Sequence, residues 1–131
     1  MIHDRRRLFG GDHGNSTVEF ALVAPLLICL ALVVLQIGLA VHVRTTLAAA
    51  AADGARAASL AGAQLSAGEQ RTRAVLDGNL AAGVVTGVHV TRSIEEGRVL
   101  TQVTIDARLP LVGLLGIGSM QISAHALQEH T

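Results

Sequence analysis

Few residues of this 131-residue chain are of types that could catalyse a reaction or hold a metal ion. His89 and His125 both fall on predicted strands and could meet across a sheet, but two such histidines are more commonly structural than metal-binding. No His-Glu-x-x-His motif, nearby cysteine ligand or Ser-His-Asp arrangement stands out. The six histidines are scattered, at positions 3, 13, 42, 89, 125 and 130. We therefore expect no enzymatic activity, no metal site and no cofactor.

The composition gives no reason to expect a nucleic-acid partner. Ten arginines balance ten acidic residues, and the chain has no tryptophan or tyrosine on which bases could stack. Half of the residues are hydrophobic but only two are aromatic, so the core must be built from Val, Leu, Ile and Ala. Cys29 is the only cysteine, which excludes an intramolecular disulfide, and we expect it to be a small buried hydrophobe.

Glu19 is the titratable residue whose position matters most. It directly precedes Phe20 to Val41, 22 residues without a formal charge. A helix of that length reaches about 33 Å, enough to cross a hydrocarbon core of about 30 Å, and it is longer than the roughly 7–15 residues of a signal-peptide apolar region. A charge carried deeper into the membrane costs about 2.5–3.5 kcal/mol or more. The Glu19 carboxylate is therefore either an interfacial group in contact with headgroups and water, or a group that needs a cationic partner.

The spacing around Glu19 resembles a known processing site. Gly14, four intervening residues, Glu19-Phe20 and a long apolar helix resemble the cleavage site of type IVb prepilins. The continuation FALVAP after Glu19, and the later DGARAA at residues 53–58, resemble more narrowly the TadE-like pseudopilins of tight-adherence (Flp) pilus assembly. The resemblance covers roughly residues 10–62. It implies that a prepilin peptidase cuts the Gly14–Asn15 bond, and that Glu19 and Phe20 are recognised in processing and assembly.

The resemblance also implies partners and a role. Cleavage would create an α-amino group at Asn15, cationic near neutral pH, which could pair with Glu19 of a neighbouring subunit. The expected partners are the prepilin peptidase, other pilin or pseudopilin subunits, the inner-membrane assembly platform and membrane lipid, with no directly bound nucleic acid and no small-molecule substrate. The implied role is a structural or assembly subunit that enters or primes a Flp-type pilus or secretion apparatus.

The leader and the flanking charges bear on orientation. Residues 1–14 are polar and carry Arg5-Arg6-Arg7, against Arg44 and Arg56 on the other flank. By the positive-inside rule this favours a cytoplasmic N-terminus, although by three arginines against two. Together with the resemblance, it predicts a single-pass protein of the cytoplasmic membrane, with the N-terminus in and the C-terminal domain out.

Residues 15–63 are expected to form the membrane helix and its extracytoplasmic extension, helical from about Thr17 to Ala61. Pro25 lacks a hydrogen-bonding N–H, so we expect a mild kink there. Asp53 and Arg56 could pair at i and i+3. Gly54 and Ala58 form a small-xxx-small pair that permits close approach by another helix, or else belong to a plain Ala-rich helix.

Residues 64–131 are expected to form a small α+β domain. Ser66 and Glu69 have the spacing of a capping box, which predicts a second helix over 67–82 with Leu76 and Leu80 on its buried side and Gly83 as its stop. An antiparallel sheet of three strands should follow, because a two-stranded hairpin alone is marginal, with Glu95-Glu96-Gly97 as the hairpin turn. The predicted inward-facing residues are Val88, Val90 and Ile94, then Val99, Val103, Ile105, Ala107 and Leu109, then Met120, Ile122, Ala124 and Ala126. The apolar stretch 109–118 either forms a turn of helix against the sheet or offers an exposed patch.

Two other functions remain open on the sequence. One is a secreted protein cut by ordinary signal peptidase near Ala48–Ala52, where A-x-A spacing is available. The other is an uncleaved single-pass protein whose outer domain binds a ligand or envelope component. Glu19 discriminates between these and the pseudopilin hypothesis, because neither alternative needs a carboxylate at that position.

Overall fold

The computed structural model describes residues 12–60, 62–109 and 118–128. The chain is α+β, as predicted. Its elements are helix α1 (Asp12–Ser59), helix α2 (Leu65–Asn79) and strands β1 (Val85–Glu95), β2 (Arg98–Leu109) and β3 (Gly118–Leu127). The arginines of the leader and most of the apolar stretch 109–118 lie outside the described residues, so the two expectations for that stretch stay predictions.

Helix α1 is a single helix of 48 residues. It passes through Pro25 and Gly54 without a break, since its first part is rich in Leu and Val and its second part is rich in alanine, the strongest helix former. The predicted continuous helix is therefore confirmed up to Ser59. Ala61, where we expected it to end, lies outside the described residues.

The predicted capping box of α2 is wrong. Gln64 is the N-cap and makes no side-chain cap bond, while Ser66 lies inside the first turn with its Oγ 3.3 Å from the Gln64 Oε1. Glu69, which a capping box would turn back to the N-cap, instead pairs with Arg73 one turn later, at 3.0 Å. The helix also ends earlier than predicted, because Leu80 is extended and Gly83, at φ 90°, belongs to the turn before β1.

The sheet has the order β1-β2-β3, and both neighbouring pairs are antiparallel. The hairpin turn is where the sequence places it. Glu96 (φ 51°) and Gly97 (φ 76°) both have positive φ, the conformation that a two-residue type I′ turn requires. This turn sets the pairing of Glu95 with Arg98, and therefore which residues of β1 and β2 face the core.

The core lies within residues 36–131, which form one compact unit; the described residues up to Leu35 belong to another. The predicted inward face of β2 is confirmed from Val103 to Leu109. Thr101 also lies on this face, fully buried, and its hydroxyl has no hydrogen-bond partner among the described residues. Ile94 is 75 % exposed, contrary to the prediction, because its strand continues past the core toward the hairpin tip. The buried core residues are Val43, Leu47, Ala50, Ala51, Ala55, Leu76, Val88, Val103, Ile105, Ala107 and Leu109.

Candidate processing site and membrane helix

Gly14 and Asn15 lie in the first turns of α1, and both are exposed. A Cβ added to Gly14 would have no atom within 4 Å. Since neither packing nor a positive φ requires glycine here, the folded chain itself gives no reason for the residue type. Nothing in the described structure covers the Gly14–Asn15 bond.

Glu19 lies one turn after Asn15, on the same side of α1, because residues four apart are neighbours on a helix surface. Its side chain is exposed, as is that of Phe20, at 73 %. A carboxylate within the first turns of a helix is favoured by the partial positive charge of the helix N-terminus, typically by about 0.3–1 kcal/mol. If the chain began at Asn15, Glu19 would occupy such a place, beside the new amino group.

Most of the apolar run from Phe20 to Val41 is exposed on all sides of α1, and only near its end does Ala40 pack against the core. None of its most apolar 18-residue stretch is buried inside the chain. Helix length and composition suit one membrane crossing, so this part of the chain fits a single-pass membrane protein. Its largest exposed side chains include Phe20, Leu22, Leu26, Leu27, Ile28, Leu30, Leu32, Val33, Val34, Leu35, Ile37, Leu39 and Val41.

Cys29 is exposed, which contradicts the sequence-based expectation of a buried hydrophobe. The residue does lie in the most apolar part of the chain. The expectation was wrong because no other element of the described structure packs against this part of α1, so an apolar environment there has to come from outside the chain.

Beyond the apolar run, one side of α1 is buried. Leu47, Ala50 and Ala51 are fully inaccessible, and Ala55 and Ala58 continue the same side. Their spacing of three or four residues is that of a helix face packed against a domain. This part of α1 is therefore a core element of the domain formed by residues 36–131.

Helices α1 and α2 cross at their smallest residues. A Cβ on Gly54 would lie 2.9 Å from the Gly68 carbonyl oxygen, and a Cβ on Gly68 would lie 2.6 Å from that of Ala58. Thr72 completes the contact, because its hydroxyl lies 3.5 Å from the Ala50 carbonyl oxygen of α1 while donating to the Gly68 carbonyl of its own helix at 2.8 Å. The small-xxx-small pair Gly54 and Ala58 thus admits a second helix, as predicted, and that helix is α2 of the same chain.

Two polar contacts tie the end of α1 to the rest of the domain. Asp53 pairs with Arg71 of α2 at 3.6 Å, and not with Arg56 as predicted from their spacing, because α2 brings Arg71 to the same side of α1. From β1, the Arg92 guanidinium donates to the carbonyl oxygens of Ala58 (2.9 Å) and Ala63 (3.3 Å). The carbonyls of a last helical turn lack intrahelical partners, so Arg92 acts as the C-terminal cap of α1.

The two strand histidines do not face each other across the sheet. His89 is opposite Thr104 and His125 is opposite Gln102, so β2 separates them and they are out of register by two residues. His89 instead lies 3.5 Å from the Asp106 carboxylate, which also accepts a hydrogen bond from Gln121. Within the described ranges, no group of three or more His, Cys, Asp or Glu side chains could hold a metal ion.

These features define a small α+β domain that shares its longest helix with an exposed, membrane-compatible apolar segment. The family model for TadE-like protein matches residues 14–56, from the glycine of the candidate processing site to the region where α1 packs against α2. The predicted resemblance to the TadE-like family, a family of pilus-associated proteins, is therefore confirmed for this stretch. No curated protein matches the chain, and no solved structure does.

Proposed function

We propose that this chain is a TadE-like pseudopilin, a structural or assembly subunit of a Flp type IVb pilus or secretion apparatus. The observation that carries the proposal is the family match, which begins at Gly14 itself and runs along α1. In this proposal residues 1–14 are a leader that a prepilin peptidase removes. Residues 15–63 form the membrane helix and its extension, and residues 64–131 form the rest of the extracytoplasmic domain.

The surroundings of Gly14 support cleavage at that position. Gly14 is exposed and an added Cβ would meet no described atom, so the fold does not require a glycine there, as expected of a residue that a peptidase selects. The first backbone N–H groups of a helix have no intrahelical acceptor, so unwinding α1 there breaks few hydrogen bonds. A peptidase could therefore draw the Gly14–Asn15 bond into an extended form at small energetic cost.

The core of the domain argues against the signal-peptidase alternative. A cut near Ala48–Ala52 would fall beside the fully buried Ala50 and Ala51, and it would detach Val43 and Leu47 from the core they help to build. A secreted product of that kind would lack part of its own core. Cleavage at Gly14 leaves every described core residue in the mature chain.

Glu19 is the residue through which subunits would recognise one another. After cleavage, the amino group of Asn15 and the Glu19 carboxylate would stand one turn apart at the edge of the apolar segment. Placed at the membrane boundary, each charge is stabilised by a partner, and a neighbouring subunit in the same membrane can supply it. The apolar side chains of Phe20 to Val41 contact lipid or other subunits, with the N-terminus cytoplasmic and the domain outside.

The test of this function is the N-terminus of the mature protein and its dependence on Gly14. We expect sequencing to begin at Asn15, and we expect Gly14→Leu to leave the 13.5 kDa precursor in the membrane. Gly38→Leu is a matched control, because Gly38 is also helical, exposed and without a neighbour within 4 Å of an added Cβ. It should be processed normally.

Three results would contradict the proposal: a normal mature form from Gly14→Leu, cleavage in cells lacking prepilin peptidase, or an N-terminus near Ala50. An intact Met1 in wild-type membranes would instead favour the uncleaved single-pass protein.

A further inference from the structure

The two edge strands of the sheet differ in how they are protected against pairing with another chain. Strand β1 carries Arg92 and Glu95, has a register irregularity between Val85 and Gly87, and lies beside α2. Strand β3, with the sequence GSMQISAHAL, has no proline and no Asp, Glu, Lys or Arg, and its ten residues pair with β2 without a register shift. Charges, prolines and bulges are the usual protections of an edge strand, and β3 has none of them.

The register identifies the backbone groups at the free edge of β3. The Gln128 N–H donates to the Val99 carbonyl at 2.9 Å, so these two residues form a hydrogen-bonded pair at the end of the β2–β3 ladder. Because such pairs alternate along an antiparallel ladder, even-numbered residues of β3 point their N–H and C=O groups toward β2 and odd-numbered residues point theirs away. In the described part of the chain, β3 pairs with β2 alone. The outward-pointing residues are Ser119, Gln121, Ser123, His125 and Leu127.

We propose that β3 pairs antiparallel with β3 of a second copy of this chain, so that two three-stranded sheets join into one of six strands. Outward-pointing residues can hydrogen-bond only with outward-pointing residues of the other strand. The two-fold register that engages all five of them is centred on Ser123. It places Ser123 directly opposite its counterpart in the second copy.

The side chains of β3 are complementary to themselves in this register. On the core side, Met120 would stand opposite Ala126, and Ile122 opposite Ala124, so each large side chain meets a small one. All four are only half-buried within one copy, which leaves apolar surface for the second copy to cover. On the other side Gln121 would stand opposite His125, and no charged residue would face another. Cross-strand pairs of this kind are what stabilise a sheet.

The difference between the two edges favours a closed pair of copies over other occupants. Head-to-tail growth would require β3 of one copy to pair with β1 of the next, and the charges and irregularity of β1 oppose this. Two-fold pairing uses the same surface twice and closes at the dimer, leaving the protected β1 at both ends of the joined sheet. The proposal rests on the sheet alone and does not depend on cleavage at Gly14.

Disulfide cross-linking of the full chain in membranes tests the pairing. In a Cys29→Ser background, which removes the only native cysteine, Ser123→Cys should give a species of twice the chain mass on mild oxidation. The Cα atoms of a hydrogen-bonded antiparallel pair lie about 5.5 Å apart, within the range of a disulfide. Ser93→Cys is the matched control, because Ser93 is exposed on the same face of the sheet but on β1, and it should stay monomeric.

A charge variant tests the same contact without cross-linking. Ser123→Glu would set two carboxylates directly opposite each other, so we expect the dimer to be lost in light scattering of the detergent-solubilised full chain, with circular dichroism unchanged. Ser93→Glu should leave the dimer intact. The proposal fails if Ser123→Cys gives no dimer, if Ser123→Cys and Ser93→Cys cross-link equally, or if Ser123→Cys links to a protein of another mass. It also fails if folded Ser123→Glu remains dimeric.

Discussion

Two stretches of one helix meet different surroundings. From Phe20 to Leu39, α1 is exposed on nearly all sides and carries mainly Leu, Val and Ile. From Val43 to Ala58 it is buried along one side, and there most of the buried residues are alanine or glycine. Large side chains suit a surface that lipid or another subunit can cover. Lipid is fluid and another subunit is a separate molecule, so both can adapt to such side chains. Small ones suit a fixed contact, where close backbone approach supplies the packing.

The largest expected effect on the stability of the domain is at the contact between α1 and α2, on the buried stretch of α1. Gly54→Leu would drive a side chain into the Gly68 carbonyl oxygen and Thr72, where even an added Cβ would lie 2.9 Å from that oxygen. Because backbone cannot move aside cheaply, we expect this overpacking to prevent the two helices from packing and not merely to weaken the contact. We expect the domain to lose its protease resistance and its cooperative thermal unfolding in detergent. Gly38→Leu, the same change on the exposed stretch, should leave both unchanged. Equal effects at the two positions would refute the contrast.

A deletion of side-chain volume should give a smaller effect in the same direction. Leu47→Ala removes a fully buried side chain, and such changes lower the free energy of unfolding by about 2–5 kcal/mol, typically without abolishing the fold. Leu35→Ala alters the same residue type where it is 68 % exposed within the chain. The thermal unfolding temperature of the domain should fall for Leu47→Ala and stay unchanged for Leu35→Ala. If Leu35→Ala shifts it as much, the apolar stretch is also part of the domain.

Glu19→Gln should have the smallest effect on stability and a separate effect on assembly. The change keeps the size of an exposed side chain and removes its charge, so we expect unchanged domain unfolding, membrane insertion and cleavage after Gly14. Recovery in pulled-down pilus complexes should fall, because the new amino group of Asn15 would lose its partner. Assembly equal to wild type at matched expression would leave Glu19 as an interfacial residue only.

The elements that sequence predicted well are those whose pattern is long or repeated. The uncharged run and the alanines after it specify α1, and the alternation from Val103 to Leu109 specifies the inward face of β2. Gly97 marks the hairpin turn because a type I′ turn needs positive φ. In each case the signal is local, so the rest of the chain does not have to be known.

The wrong predictions concern residues for which the sequence allows more than one partner or environment. Asp53 could pair with Arg56 or with Arg71, and only the position of α2 in the fold makes Arg71 its partner. Glu69 could turn back to the N-cap or forward to Arg73, and both spacings are present in the sequence. Cys29 was expected to be buried because apolar surroundings inside a chain and outside it look the same in a sequence. For the candidate site, sequence supplied Gly14 and Glu19 but not the empty space around Gly14.

The sharing of α1 between membrane segment and domain has a consequence for the order of synthesis. The ribosome releases Leu47 well before Val103 and Ile105, the buried strand residues of the same core. At about 5–20 residues per second, the gap of roughly 60 residues lasts about 3–12 s, during which the inner side of α1 is uncovered. Alanine and glycine expose little apolar area in that interval. The inner side of α1 therefore offers little apolar surface that could be misplaced before its strands are made.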